Sequence, residues 1–119
     1  MSEIAFEREN LIALLMRWKA GTLGAADVQE EAEKLLETRI NANELPREDD
    51  QSIPAEILLY LDALPALLVT KSDIGAMVDF LNTPKGAAID GWHRWLAYWD
   101  RLDKQQREKE VKGDPFYFT

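Results

Sequence analysis

Apolar side chains recur along the chain at the spacing of helix faces. The clearest stripe lies in residues 88–102, where apolar positions follow one another at alternating intervals of four and three residues. Its members are Ala88, Trp92, Trp95, Trp99 and Leu102. An average spacing of about 3.5 residues places these side chains on one face of a helix. Because three of the four tryptophans share this face, we expect it to be buried in a core or an interface.

The same periodicity predicts two helices in the first third of the chain. The first covers residues 6–20 and stops at Gly21, and the second covers residues 25–39. The buried positions expected for the first helix are Leu11, Leu14, Leu15 and Trp18. A polar stretch at residues 41–51, which lacks periodicity and contains a proline, is predicted to be a loop.

Helix-start signals locate two more helices. Ser52 and Pro54 predict the beginning of a third helix, with the serine explained as a cap and the proline tolerated in the first turn. Pro65 is expected to end it. Thr70 followed by Asp73 matches a capping box and predicts a fourth helix, with Ile74, Met77, Val78 and Leu81 buried.

The last predicted helix carries the tryptophan stripe. Thr83 and Pro84 mark its start, and the periodicity favours one helix over residues 84–112. Beyond Trp99 acidic and basic side chains alternate, so its far end is expected to project into solvent as a salt-bridged surface. The aromatic tail, residues 113–119, is expected to fold back onto the core or to dock on a partner.

These elements predict an all-α fold, an antiparallel bundle of four to five helices in one domain spanning residues 1–119. No stretch is apolar enough for a membrane span. The acidic N-terminus lacks a secretion-signal pattern, and together with the absence of cysteine this favours a cytoplasmic, bacterial protein.

The acidic charge is concentrated in one part of the chain. Between residues 24 and 62 eleven acidic and three basic side chains give a local charge of −8, which equals the net charge of the whole chain. A face of this kind repels nucleic acid and anionic membranes and attracts basic proteins. The surplus is also compatible with a purely solubilising role.

Candidate chemistry is sparse. Asp90 and His93 lie one helical turn apart, like the carboxylate and histidine of a di-iron bundle. Such a site needs two carboxylate–histidine pairs, and His93 is the only histidine of the chain. The acidic residues of the second helix resemble a magnesium motif, but Lys34 interrupts it and no second acidic motif follows. We therefore expect no cofactor, no metal and no catalytic residues, and interpret the protein as a non-enzyme.

Residues 11–36, LIALLMRWKAGTLGAADVQEEAEKLL, resemble the bacterial colicin D immunity protein family in their helix, glycine-containing turn and acidic second helix. The resemblance implies a small, acidic, four-helix antiparallel bundle. It also implies a basic ribonuclease toxin as partner, whose active site is covered by carboxylates that replace RNA phosphates.

The predicted function is therefore protein binding through the acidic second helix and the 41–51 loop. The predicted contact residues are Glu30, Glu33, Glu37, Glu48, Asp49 and Asp50. Two alternatives stay open: a scaffold that self-associates through the last helix, and a small magnesium-dependent enzyme that uses carboxylates.

Overall fold

A computed structural model describes the backbone of residues 3–38 and 45–117, and the side chains of those ranges from residue 7 onward. Throughout these ranges the only regular secondary structure is helical, which confirms the predicted all-α class. The elements are α1 (Glu3–Lys19), α2 (Ala25–Glu37), α3 (Ser52–Asp62), a 3-10 turn (Lys71–Asp73), α4 (Ile74–Leu81), α5 (Ala88–Asp100) and α6 (Lys104–Val111).

The core collects the apolar stripes of α1 to α5 between the helices. α2 packs most extensively against α3, and α4 contacts both α1 and α5. The amide of Gln29 donates to the carbonyl oxygen of Asp62 at 2.8 Å. This bond places Gln29, near the start of α2, beside the end of α3.

The local signals in the sequence determine where several helices begin and end. α1 ends before Gly21, whose φ of +84° lies in the left-handed region that favours glycine. The predicted capping box is confirmed: the Thr70 backbone N–H donates to Asp73 Oδ2 at 2.9 Å, and the threonine hydroxyl oxygen accepts from the Ser72 N–H. Pro54 lies in the first turn of α3 as predicted.

The tryptophan stripe packs inside the chain. Trp92 and Trp95 are 6% and 2% exposed, Trp18 of α1 is 2% exposed, and Trp99 is half-buried. The rings of Phe80 and Trp95 stack with centroids 4.7 Å apart. The predicted burial of the stripe is confirmed at its centre, and α4 supplies the ring that covers it.

The predicted continuous helix over residues 84–112 is wrong at both its start and its middle. Residues 84–87 form a turn in which Gly86 has a φ of +85°, so α5 begins only at Ala88. At the other end the helix stops at Asp100. A second helix, α6, begins after Asp103, whose carboxylate accepts a hydrogen bond from the N–H of Gln106 at 3.1 Å. This N-cap competes with continuation of α5.

The expected projection of the far end into solvent is also wrong. α6 buries Arg107, which is 4% exposed, and Val111, which is 7% exposed. The tail behind it folds back: Phe116 and Tyr117 are half-buried against the core, and the Tyr117 hydroxyl donates to the Val69 carbonyl at 2.6 Å. The remaining tail residues, 118 and 119, lie outside the described part of the chain.

Candidate protein-binding surface

The three predicted contact residues of α2 lie on its solvent side. Val28 and Ala32 are fully buried, which turns the opposite side of the helix outward. Glu30, Glu33 and Glu37 recur at three- and four-residue intervals on that outer side, and all three are exposed. They therefore form an acidic stripe that a partner could reach.

Little positive charge offsets this stripe. Lys34 Nζ lies 3.6 Å from Glu30 Oε1 and 3.8 Å from Glu31 Oε1, with all three side chains at least half exposed. Such exposed pairs are strongly screened and weak. Within the described residues, the structure shows no ion pair for Glu33 or Glu37.

The three predicted residues before α3 differ from one another. Glu48 is exposed, whereas Asp49 and Asp50 are half-buried. The Asp49 carboxylate accepts from the Gln51 N–H at 2.8 Å, and the Asp50 carboxylate accepts from the Gly86 N–H at 3.2 and 3.3 Å. Of these three predicted contact residues, Glu48 is therefore the one whose side chain is exposed to a partner.

Asp50 belongs to a hydrogen-bonded joint, in which Arg8 connects distant parts of the chain. Arg8 of α1 donates to the carbonyl oxygens of Asp50 at 3.0 Å, Leu81 at 3.2 Å and Thr83 at 2.6 Å. Partial burial lowers the pKa of the Arg8 guanidinium, and the negative charge of Asp50 opposes that shift. The joint anchors the segment before α3 to the ends of α1 and α4.

The two acidic groups lie on or next to the packed pair of helices α2 and α3. Glu37 occupies the end of α2, and Glu48 precedes α3 by four residues. The combined surface provides a negative field and exposed acceptors, which suits binding of basic groups.

Sequence reasoning missed a buried ionic cluster. Arg107 of α6 donates to Asp73 through two nitrogens, at 2.6 and 2.9 Å, and to the Leu68 carbonyl at 2.7 Å. The Tyr98 hydroxyl donates to the same carboxylate. The hydrogen bonds that Arg107 donates to Asp73 raise the pKa of the guanidinium, and burial raises the pKa of Tyr98 to about 12. Arg107 was expected on a solvated face, and its sequence neighbours carry no signal of burial.

A second polar cluster joins α3 to α5. The Trp92 indole N–H donates to Ser52 Oγ at 2.8 Å, and the Trp95 indole N–H donates to Glu56 Oε2 at 3.1 Å. The capping role expected for Ser52 is wrong, because Gln51 occupies the N-cap position of α3 and the Ser52 hydroxyl oxygen accepts from Trp92. Burial raises the pKa of the Glu56 carboxyl, and the Trp95 hydrogen bond opposes the shift.

In the part of the chain that the structure describes, no three histidine, aspartate or glutamate side chains converge as metal ligands. Asp90 and His93 are both exposed on α5. No helix among the described residues is both long and apolar enough to cross a membrane.

The chain matches no family model, and searches of curated proteins and of solved structures also found no match.

Proposed function

We propose that this protein is a non-catalytic binding module whose acidic surface captures a basic partner protein. The observation that carries the proposal is the outward stripe of Glu30, Glu33 and Glu37, held on a helix whose other side buries Val28 and Ala32 in the core. The concentration of the net charge of −8 in residues 24–62 supports it. Glu48 extends the surface, while Asp49 and Asp50 act mainly by holding the neighbouring segment in place.

The sharpest form of the proposal is an immunity protein that neutralises a basic nuclease. In this form α1 to α5 act as an antiparallel bundle that presents the stripe rigidly, and the exposed carboxylates bind where RNA phosphates would. The resemblance of residues 11–36 to the colicin D immunity family supports the choice of a ribonuclease as partner. The protein would then act in the cytoplasm of a bacterium.

The self-associating alternative has less support. The tryptophan stripe that suggested an interface packs within the chain, so a second copy could contact only the outer side of α5. Ile89 is 55% exposed on that side. Sedimentation velocity over a hundredfold concentration range separates the two functions, because the proposed module sediments unchanged in the absence of a partner.

Charge reversal tests the proposal with a colicin D-type ribonuclease domain as the binding partner. The variant Glu30→Lys, Glu33→Lys, Glu37→Lys should slow association at least tenfold and leave the fold intact, since all three side chains are exposed. Raising the salt concentration from about 50 to about 500 mM should slow association of the parent protein with the ribonuclease domain steeply, because the Debye length falls from roughly 14 to roughly 4 Å.

The matched control reverses three exposed acidic residues elsewhere, Asp90, Asp100 and Glu108, and changes the net charge equally. Asp103 and Glu110 are unsuitable for this control, because Asp103 caps α6 and Glu110 lies 3.3 Å from Arg107 Nε. If both triple variants slowed association equally, the net charge of the protein, and not the position of the stripe, would account for the effect. Unimpaired binding and inhibition by the α2 variant would overturn the proposal.

A further inference from the structure

The Glu56 carboxylate, which lies between α3 and α5, accepts fewer hydrogen bonds than it has room for. Its Oε2 accepts from the Trp95 indole, and the described structure shows no other hydrogen bond and no ion pair for the side chain. Burial raises the pKa of this carboxyl above its ordinary value. A half-buried carboxylate can accept several hydrogen bonds, so this group has unused capacity for a cationic donor.

The indole that donates to this carboxylate belongs to a cluster of aromatic rings. The Tyr60 ring lies 5.2 Å from that of Trp95 and 5.1 Å from that of Trp99, centroid to centroid, and Trp95 and Trp99 are 5.5 Å apart. Trp92 lies one helical turn before Trp95 on α5. Electron-rich ring faces attract cations, and an arginine can stack on them through its planar group.

The guanidinium of Arg47 already lies against the Trp92 ring. The Arg47 Cζ lies 4.9 Å from the centroid of the Trp92 ring, and the arginine is exposed to solvent. Trp92 donates to Ser52 and Trp95 donates to Glu56, so the carboxylate lies one helical turn along α3 from the ring that Arg47 covers. Within the described residues, however, Arg47 forms no ion pair with Glu56. The arginine of this chain stacks on Trp92, and the structure shows no cation paired with the Glu56 carboxylate in the described ranges.

We propose that Trp92 and Glu56 form a receptor for an arginine side chain of the partner, which Arg47 occupies in the free protein. A partner arginine would displace Arg47, stack on Trp92 and donate to Glu56, forming the charge-assisted hydrogen bonds that the internal arginine lacks. Arginine suits the receptor better than lysine because a planar fork can stack and donate at once. This inference rests on the proposed function only for the basic nature of the partner.

A peptide titration tests the receptor without the partner protein. The probe is acetyl-Gly-Arg-Gly-amide at constant ionic strength, with the citrulline peptide as its neutral control. Indole N–H resonances of Trp92 and Trp95 report on the site, since these groups donate to Ser52 and Glu56. Arg47→Ala should bind the arginine peptide roughly two- to fivefold more tightly than the parent protein, the factor that an exposed cation–π contact is worth.

Two further variants complete the test. Glu56→Gln keeps an acceptor for Trp95 and should lose the preference for arginine over citrulline. Arg94→Ala removes an exposed arginine of α5, whose Nε lies 3.4 Å from Asp79 Oδ2, and should bind like the parent protein. The receptor is refuted if Arg47→Ala binds no more tightly than the parent or if citrulline binds equally well. Such a result leaves the α2 charge-reversal outcome, and with it the proposed function, unaffected.

Discussion

The helices α2 and α6 are both rich in charged residues, yet they are held to the molecule in different ways. α2 buries Val28 and Ala32 against the core and keeps its charged residues outside. α6 has a single buried apolar residue, Val111, and its other buried side chain is Arg107. One helix is held by an apolar stripe, and the other by an arginine that enters the interior to meet Asp73.

This difference shows that a charged helix can be either a surface or an anchor. The charges of α2 lie in water, where each contributes little to folding and remains available to a partner. The buried pair of α6 has satisfied hydrogen bonds, and removing one partner leaves the other charge desolvated and unpaired. The free energy of unfolding of variants in each helix measures this contrast.

The largest effect is expected at the buried pair. Arg107→Met leaves the carboxylate of Asp73 in the interior without its cation and should lower the free energy of unfolding by about 3–5 kcal/mol in urea denaturation. The double variant Asp73→Asn, Arg107→Met should be more stable than the single variant, because no buried charge is left unpaired. A loss below about 1 kcal/mol for the single variant would show that α6 is held by other contacts.

A smaller effect is expected in α2, where the anchor is apolar. Val28 is fully buried, and Val28→Ala removes two buried methyl groups, which should cost about 2 kcal/mol. Its matched control, Glu33→Ala on the outer side of the same helix, should change the free energy of unfolding by less than about 0.5 kcal/mol. Similar losses for the two variants would contradict the assignment of the inner and outer sides.

The smallest effect is expected from alkaline pH, which acts on the α6 end of the molecule. Tyr98 contacts Asp73, Tyr117 contacts the Val69 carbonyl, and burial is the main cause that raises both pKa values to about 12. The folded chain therefore retains phenolic protons that the unfolded chain loses near pH 10. Their stabilisation is complete below pH 10 and is lost as the pH rises toward 12.

Both tyrosines are only half-buried, so solvent screening keeps this effect modest. Urea denaturation of the parent protein and of Tyr98→Phe at pH 9, 10 and 11 measures it. The phenylalanine variant should show the shallower decline of stability with pH. An equal decline in both proteins would mean that Tyr98 ionises alike in the folded and unfolded chains.

The elements that the sequence predicted well depend on local interactions. Helical spacing identified the buried faces of α1 and α5, and Gly21 and the Thr70–Asp73 capping box marked helix ends from residues only a few positions apart. The outward stripe of α2 follows from the same periodicity. For these features a short segment contains both partners of each interaction, so its own sequence determined the structure.

The tertiary structure decided the features that join distant residues. Arg107 meets Asp73 across 34 positions, Trp92 meets Ser52 across 40, and Gly86 meets Asp50 across 36. Each pairing gives a residue a role that differs from the one expected from the sequence. Arg107 is buried instead of solvated, and Ser52 accepts from an indole instead of capping a helix. Asp50 holds two segments together instead of lying free on the surface. A polar residue has similar local preferences in all of these roles, so only its partner in the folded chain determines which one it takes.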